Sequence, residues 1–447
     1  MGFPLLQKPK LPPHTKHFVE LPNRRVSYRT LGTGPVLVLI HMSPLDSSHV
    51  LVLADQLRHQ FTCLMPDTPG YGESDPLSIK EPTIDDYAAG LHDLLLALSI
   101  SSCFVYGSHT GAKIALVLGA KNPELVAGVV LDGLRITSPE QREQRKSNYA
   151  PLIVPVPDGS HLLTTWERVL KTSSAWFVPN PSFPKLPQLV NLMRSELAAK
   201  PWYGQAYSAA FAFDPLPTLE SFKGEVLFIA RNVDQLSLAC KEKLPSRPNI
   251  KSITSIDDGT EALIATDVAE FFSDVCAKIP INMIENRPSA TRWVETQFGT
   301  SRVNKKDQQS IHLDLLSTVS LLDSETASTV SIQLPGFGDS IWKQEFPATR
   351  KNLIAHILEV AQCCNLKLTE DEAFEVVASS RLSALSQLLE DVQMIEPDLA
   401  GEYLVKFWQA VNQNELLERP TNEGEATQLI VDLLSTTQEC LAVSELI

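Results

Sequence analysis

The chain has 447 residues, 43% of them hydrophobic and 20% charged, with a net charge of −15; that length favours more than one domain, and the acidic balance argues against nucleic acid or an anionic membrane as the main partner. No apolar run approaches the roughly 20 residues of a transmembrane helix, and the proline-broken start Met1–Lys10 is unlike a signal peptide. Seven scattered cysteines without a CxxC fit reduced thiols in a cytoplasm and point to neither a structural metal nor a cofactor.

After an extension over residues 1–17, residues 18–30 alternate as a hairpin does, turning at Pro22-Asn23. Val36–Ile40 is a continuous apolar run, the pattern of a strand buried on both faces. It ends in His41-Met42-Ser43-Pro44, and Ser47 and Ser48 offer caps for an apolar helix through Leu57. Phe61–Met65 is the next strand and runs into Asp67-Thr68-Pro69-Gly70-Tyr71-Gly72-Glu73-Ser74-Asp75. A one-faced helix over 84–98, a strand at 103–106, a helix from Ala112 and a strand at 128–131 follow. Strands alternating with helices predict a parallel sheet covered on both faces. Residues ~135–220 break the alternation, are rich in Pro, Trp and Phe, and read as an inserted helical cap. Glu225–Ala230 and Ser252–Ile256 resume the sheet, and a helix over 267–275 closes the domain.

The most informative stretch is Tyr106-Gly107-Ser108-His109-Thr110-Gly111-Ala112. Small residues stand two before and two after His109, between an apolar strand and a helix. That is the small-x-nucleophile-x-small spacing of a strand–turn–helix elbow, where only the central side chain is presented outward. A late strand is followed by Asp234, in the place of a His-orienting acid. With Leu39-Ile40-His41 and the loop 67–75, these features make residues 18–280 resemble the α/β-hydrolase superfamily, nearest to a subgroup whose elbow reads G-x-H-T-G. The resemblance implies an α/β fold with a mostly parallel sheet, a cap at ~135–220, and a pocket for a small ester, lactone or similar acyl compound. It implies catalytic positions at His109 and Asp234, with Ser108 beside them. It also implies an oxyanion loop at His41, Met42 and Ser43, joined by Thr110 after the elbow apex.

The sequence departs from that pattern in three places. The apex is histidine instead of serine, Met42 stands where a glycine usually follows His41, and the distal histidine expected near Asp257–Glu261 is missing. Three readings of His109 therefore stay open. The imidazole is a general base or nucleophile, as its ordinary pKa near ~6.5 suits. Alternatively Ser108 acts with His109 as neighbour. In the third, the site binds without catalysing, as a pseudo-hydrolase.

Residues 290–447 read as a degenerate, partial repeat of the first domain. Gln333-Leu334-Pro335-Gly336-Phe337-Gly338-Asp339-Ser340 parallels residues 67–74, Trp293-Val294-Glu295 parallels Phe18-Val19-Glu20, and Leu322-Asp323-Ser324 parallels Leu45-Asp46-Ser47. Gly401, Leu404 and Trp408 repeat the spacing of Gly159, Leu162 and Trp166. No strand–elbow–strand stretch follows Leu366, so no nucleophile, acid or base can be placed in this half. The expected partners are a small molecule and, through unpaired apolar faces, another copy of the chain; neither nucleic acid nor membrane is expected.

Overall fold

The computed structural model describes residues 14–149, 153–176, 186–199, 202–232, 234–256, 261–276, 291–297, 300–305, 310–314, 329–333, 350–363, 368–371 and 402–413, with positions 373, 427 and 430. Eight strands make the first sheet: β1 (Thr15–Leu21), β2 (Arg24–Leu31), β3 (Val36–Ile40), β4 (Thr62–Pro66), β5 (Cys103–Ser108), β6 (Val126–Asp132), β7 (Glu225–Arg231) and β8 (Ile250–Ser255). Their order is β1-β2-β4-β3-β5-β6-β7-β8. The hairpin β1–β2 and the β2–β4 pair are antiparallel, and every pairing from β4 to β8 is parallel.

The apolar runs sort by alternation, because successive strand residues face opposite sides of a sheet. Leu37, Leu39, Cys63, Met65, Phe104 and Tyr106 face one side, where α1 (Leu51–Leu57) and α10 (Ala262–Cys276) cover them. Phe104 lies 4.4 Å from Phe272 of α10, ring centre to ring centre. Val36, Val38, Ile40, Leu64 and Val105 face the other side, under α2 (Ile84–Ala97) and α3 (Thr110–Lys121). A capping box fixes the start of α2. Thr83 accepts from the Asp86 N–H, and Asp86 accepts from the Thr83 N–H at 2.8 Å.

The cap before α1 differs from expectation. Asp46, not Ser47 or Ser48, accepts the orphan N–H of Ser48 at 2.9 Å. Asp46 is the residue in extended backbone, as an N-cap must be, whereas both serines already lie inside the 3-10 turn Ser47–Val50.

Between β6 and β7 the described residues form five helices, over the stretch expected as a cap: α4 (Pro139–Tyr149), α5 (Ser160–Trp176), α6 (Leu186–Ala199), α7 (Tyr203–Ala212) and α8 (Leu216–Ser221). Residues 177–185 of this Pro-, Trp- and Phe-rich stretch lie outside the described residues. A short helix α9 (Gln235–Leu238) follows β7.

The second half carries its own four-stranded sheet, built from β9 (Thr291–Glu295), β10 (Thr300–Lys305), β11 (Ser310–Asp314) and β12 (Thr329–Gln333) in the order β11-β12-β10-β9. Helices α11 (Arg350–Cys363) and α12 (Glu402–Gln413) accompany it. Their buried residues, including Leu353, Ile357, Tyr403, Leu404, Phe407 and Trp408, belong to one continuous core with the first domain. The loop 334–340 and the segment 322–324 lie outside the described residues.

Candidate active site

Ser108 ends β5 and is buried, and α3 begins at Thr110. Between them His109 takes φ 49° and ψ −102°. A non-glycine residue in this region carries strain of order ~1–3 kcal/mol, tolerated only where the surroundings hold it. The turn is closed by His109 N–H donating to the Asp132 carbonyl at 2.8 Å and by Ala112 N–H donating to the His109 carbonyl at 3.2 Å. Small residues are obligatory on both sides. A β-carbon on Gly107 would strike the Gly111 carbonyl, and one on Gly111 would strike the Ile40 carbonyl. Gly133, at φ 68°, lies against the imidazole, where a β-carbon would come within 2.7 Å of His109 Cε1.

The ring is half-buried, and its electrostatics are set by four neighbours. Burial, then the Arg135 charge, bring the His109 pKa down to about 4, Arg231 acting the same way and Asp234 and Asp132 opposing. The imidazole is therefore neutral at physiological pH. His49, from the 3-10 turn after β3, is in electrostatic reach of His109 and Arg231. The protein around it, followed by the charges of Arg231, His41 and His109, holds it at about 3.

Asp234 serves as a cap as well as a charge. Its Oδ1 accepts the Ser237 N–H at 3.1 Å, at the start of α9, and lies 3.5 Å from an Arg135 nitrogen. The slot expected to hold a distal histidine contains Glu261, with 257–260 outside the described residues. Glu261 takes a bidentate pair from Arg231, whose Nη1 and Nη2 lie 2.7 and 2.9 Å from its two oxygens. The same guanidinium donates to Asp132 Oδ2 from Nε at 2.9 Å and from Nη2 at 2.7 Å. Tyr106 adds an O–H to Asp132 at 2.5 Å. Burial pushes the Asp132 carboxyl up, but Arg231 outweighs it, with Tyr106 assisting, and the carboxyl stays below its usual range.

His41 is fixed within its loop. Its Nδ1–H donates to the Met42 carbonyl at 2.9 Å, and its Nε2 accepts the Thr68 N–H at 2.9 Å, which defines one neutral tautomer. Burial depresses its pKa, consistent with that form. Ser43 is buried and its carbonyl accepts from the Tyr207 hydroxyl of α7 at 2.8 Å. Met42 remains half-exposed beside it. Thr110 is the first residue of α3, among the N–H groups that a helix leaves without an internal partner.

The structure thus gathers His109, Asp234 and the 41–43 loop around the C-terminal ends of the parallel strands, the edge where open α/β sheets bind ligands. It adds Asp132, Arg135, Arg231, Glu261 and His49, which the sequence reading passed over. Asp132 and Arg231 each close a strand, and a charged residue at that position is a usable signal. Glu261 and His49 carried none. A cavity of about 640 Å³ lies elsewhere, between the start of α2 and the end of α7, lined among others by Thr83, Asp85, Gln205 and Asp214. None of the residues that bear the elbow chemistry lines it.

The eight-stranded, mostly parallel sheet flanked by helices is an α/β-hydrolase fold. Residues 35–177 match the family described as alpha/beta hydrolase fold. An uncharacterized protein of Mycobacterium tuberculosis is 30% identical over 119 residues, 27% of this chain and 35% of that protein. An uncharacterized hydrolase of Bacillus subtilis is 27% identical over 109 residues, 24% and 40% of the two chains. Haloalkane dehalogenase 2 of Mycobacterium tuberculosis is 28% identical over 131 residues, 29% and 46%. The matched segment thus spans between about a third and a half of these relatives' lengths. Among solved structures, an enol-lactonase from Burkholderia xenovorans aligns at TM-score 0.47 with 18% identity, covering 57% of this chain and 99% of its own. Among the described residues, no helix is long and apolar enough to cross a membrane.

Proposed function

We propose that the first domain is a small-molecule hydrolase acting on an ester, lactone or similar acyl compound, with His109 as the working group at the elbow. The observation that carries this is a neutral imidazole held at a strained, half-exposed apex directly before the start of α3. A ring nitrogen there attacks the acyl carbon, the ester C–O bond breaks and the alkoxide leaves with a proton from solvent, and water then releases the acid from the acyl-imidazole. In the base role the ring instead takes a proton from water, which attacks the acyl carbon and displaces the alkoxide. Backbone N–H groups of Thr110 and of the Met42–Ser43 segment face the developing oxyanion. An imidazole titrating near 4 is a weak base but departs readily from an acyl intermediate, which favours the nucleophilic role. Asp234 acts as a positioning acid and the helices between β6 and β7 as a cap over the pocket. The hydrolase and dehalogenase names among the relatives support the reaction class, and nothing in them selects the substrate.

A second reading, a noncatalytic binding protein, rests on one specific observation. Asp132, Arg231 and Glu261 form a mutually satisfied network where a distal base would stand. The discriminating experiment is a broad ester and lactone panel with His109→Ala and Ser108→Ala, folding checked by circular dichroism. The hydrolase reading expects turnover without labelling by a serine-directed probe, abolition in His109→Ala and a modest loss in Ser108→Ala. Loss confined to Ser108→Ala overturns the assignment of His109. Absence of turnover with tight binding of small apolar acids selects the binding reading.

A further inference from the structure

We infer that the chain is an internal dimer: residues 291–413 are a truncated copy of the first domain, docked on it by a pseudo-twofold axis that runs between α5 and α12. Four independent observations point to this. The first is topological. The leading four strands of the first sheet run β1-β2-β4-β3, with β1–β2 and β2–β4 antiparallel and β3–β4 parallel. The second sheet runs β9-β10-β12-β11, with β9–β10 and β10–β12 antiparallel and β11–β12 parallel. Order and sense agree strand for strand. An antiparallel hairpin followed by a parallel crossover that inserts beyond the fourth strand is a specific path, not a default of small sheets.

The second observation is helical. The element after β4 is α2, 14 residues from Ile84, and the element described after β12 is α11, 14 residues from Arg350. The distance from Gly70 to Ile84 in the sequence equals that from Gly336 to Arg350. Helix α2 packs on β1, and α11 packs on β9, its counterpart.

The third observation concerns the contact between the halves. Placing Ser160, the start of α5, on Glu402, the start of α12, also places His161 on Tyr403 and Trp166 on Trp408. Trp166 meets Tyr403 edge-on, 5.5 Å between centroids at 86°. His161 meets Trp408 edge-on, 5.3 Å at 83°. Each pair is the other with the two halves exchanged. That reciprocity, residue i on j and the equivalent of j on the equivalent of i, is the signature of an isologous interface. The fourth observation is that the two edge strands, β1 and β9, themselves equivalent, also lie against one another. One twofold operator accounts for both contacts.

The deletion then has a physical logic. Among the described residues, the second copy keeps the edge hairpin and the helix that make the interface and shows no counterpart of the elbow strand β5. The face presented by α5 and β1 is a self-association surface, and its occupant is this chain's own second half.

The test uses exposed positions of the full chain, with accessible native cysteines such as Cys363 replaced by serine. Spin labels on Ser160→Cys with Lys406→Cys, and on Thr164→Cys with Glu402→Cys, mark two pairs that the operator interchanges. Ser160→Cys with Gln362→Cys, and Glu402→Cys with Leu96→Cys, mark two longer ones that also involve α2 and α11. Pulsed dipolar spectroscopy should give the same distance within each set, to within about one helical turn of ~5 Å. A larger discrepancy in either set overturns the twofold relation. Because all of these residues are exposed, the substitutions leave the fold intact and both outcomes are readable. The measurement is independent of any activity of His109.

Discussion

At the scale of single residues, Arg231 is the hinge between the fold and the imidazole. It neutralises Asp132, which is 1% exposed, and Glu261 at once. Removing one partner of a buried ion pair leaves an uncompensated charge, a loss of ~3–5 kcal/mol. Arg231→Met should therefore lower unfolding free energy by about that amount in denaturant titration. It should also raise the His109 pKa from about 4, since a nearby cation is lost and Asp132 is left bare. The check is the His109 ring titration by NMR, or the acidic limb of kcat/KM where there is turnover. In the wild type that limb lies near pH 4, rate rising as the ring loses its proton and then staying level through neutrality. In Arg231→Met it moves upward, and an unmoved limb would separate the network from the imidazole. This coupling was invisible in the sequence. The sequence-derived strand Glu225–Ala230 stops one residue short of Arg231, and Glu261 stands only as the end of a stretch lacking histidine. The apex itself was legible, because glycines at fixed spacing report a backbone collision that no other residue avoids.

Among elements, legibility followed burial. Strands β3 to β7 are buried on both faces, so unbroken apolar runs exposed them, with ends shifted by a residue or two. β8 is half-exposed, Lys251 and Ser252 being open to solvent on opposite faces, and the strand expected at Ser252–Ile256 starts two residues late. The elements of the second half were readable as local similarities but not as a sheet, since pairing between strands far apart in sequence leaves no local trace. One contact between elements was equally hidden. Lys113 lies in the buried interior of α3, where a lysine has no propensity reason to be. Its Nζ donates to the Ala210 carbonyl at 2.5 Å and to the Phe213 carbonyl at 3.5 Å, closing the end of α7. Helix ends carry unsatisfied carbonyls that must find a donor. Lys113→Ala should cost about 2 kcal/mol, the range for hydrogen bonds to charged groups. Hydrogen exchange should show the loosening concentrated at 207–213, and a uniform rise across the sheet would place the effect elsewhere.

For the whole molecule, the histidines make folding sensitive to acid. His17, His109 and His356 titrate near 4 and His41 is also depressed, burial being the first cause in each. An unfolded histidine binds its proton near ~6.5. Between that value and ~4 the unfolded chain holds more protons than the folded one, so stability falls as pH falls. Thermal midpoints measured from pH 7.5 to 4.5 at constant ionic strength should decline most steeply below 6.5, and a flat profile would mean that these rings are not held neutral. The second half depends on the first in a different way. Along α12 the buried residues Tyr403, Leu404, Phe407, Trp408 and Val411 form one stripe at helical spacing. Trp408 packs on His161, Tyr403 packs on Trp166, and the Tyr403 hydroxyl meets the Met193 sulfur at 3.7 Å. Burying each such side chain contributes ~1.5–3 kcal/mol, and the share that Tyr403 and Trp408 gain against the first domain is lost when that domain is absent. Expressed alone, 290–447 should be insoluble or molten, with exposed apolar surface that binds a hydrophobic dye and no cooperative thermal transition. A monomeric fragment that melts cooperatively would show that the second half folds without its partner, and that the stripe on α12 is covered from within.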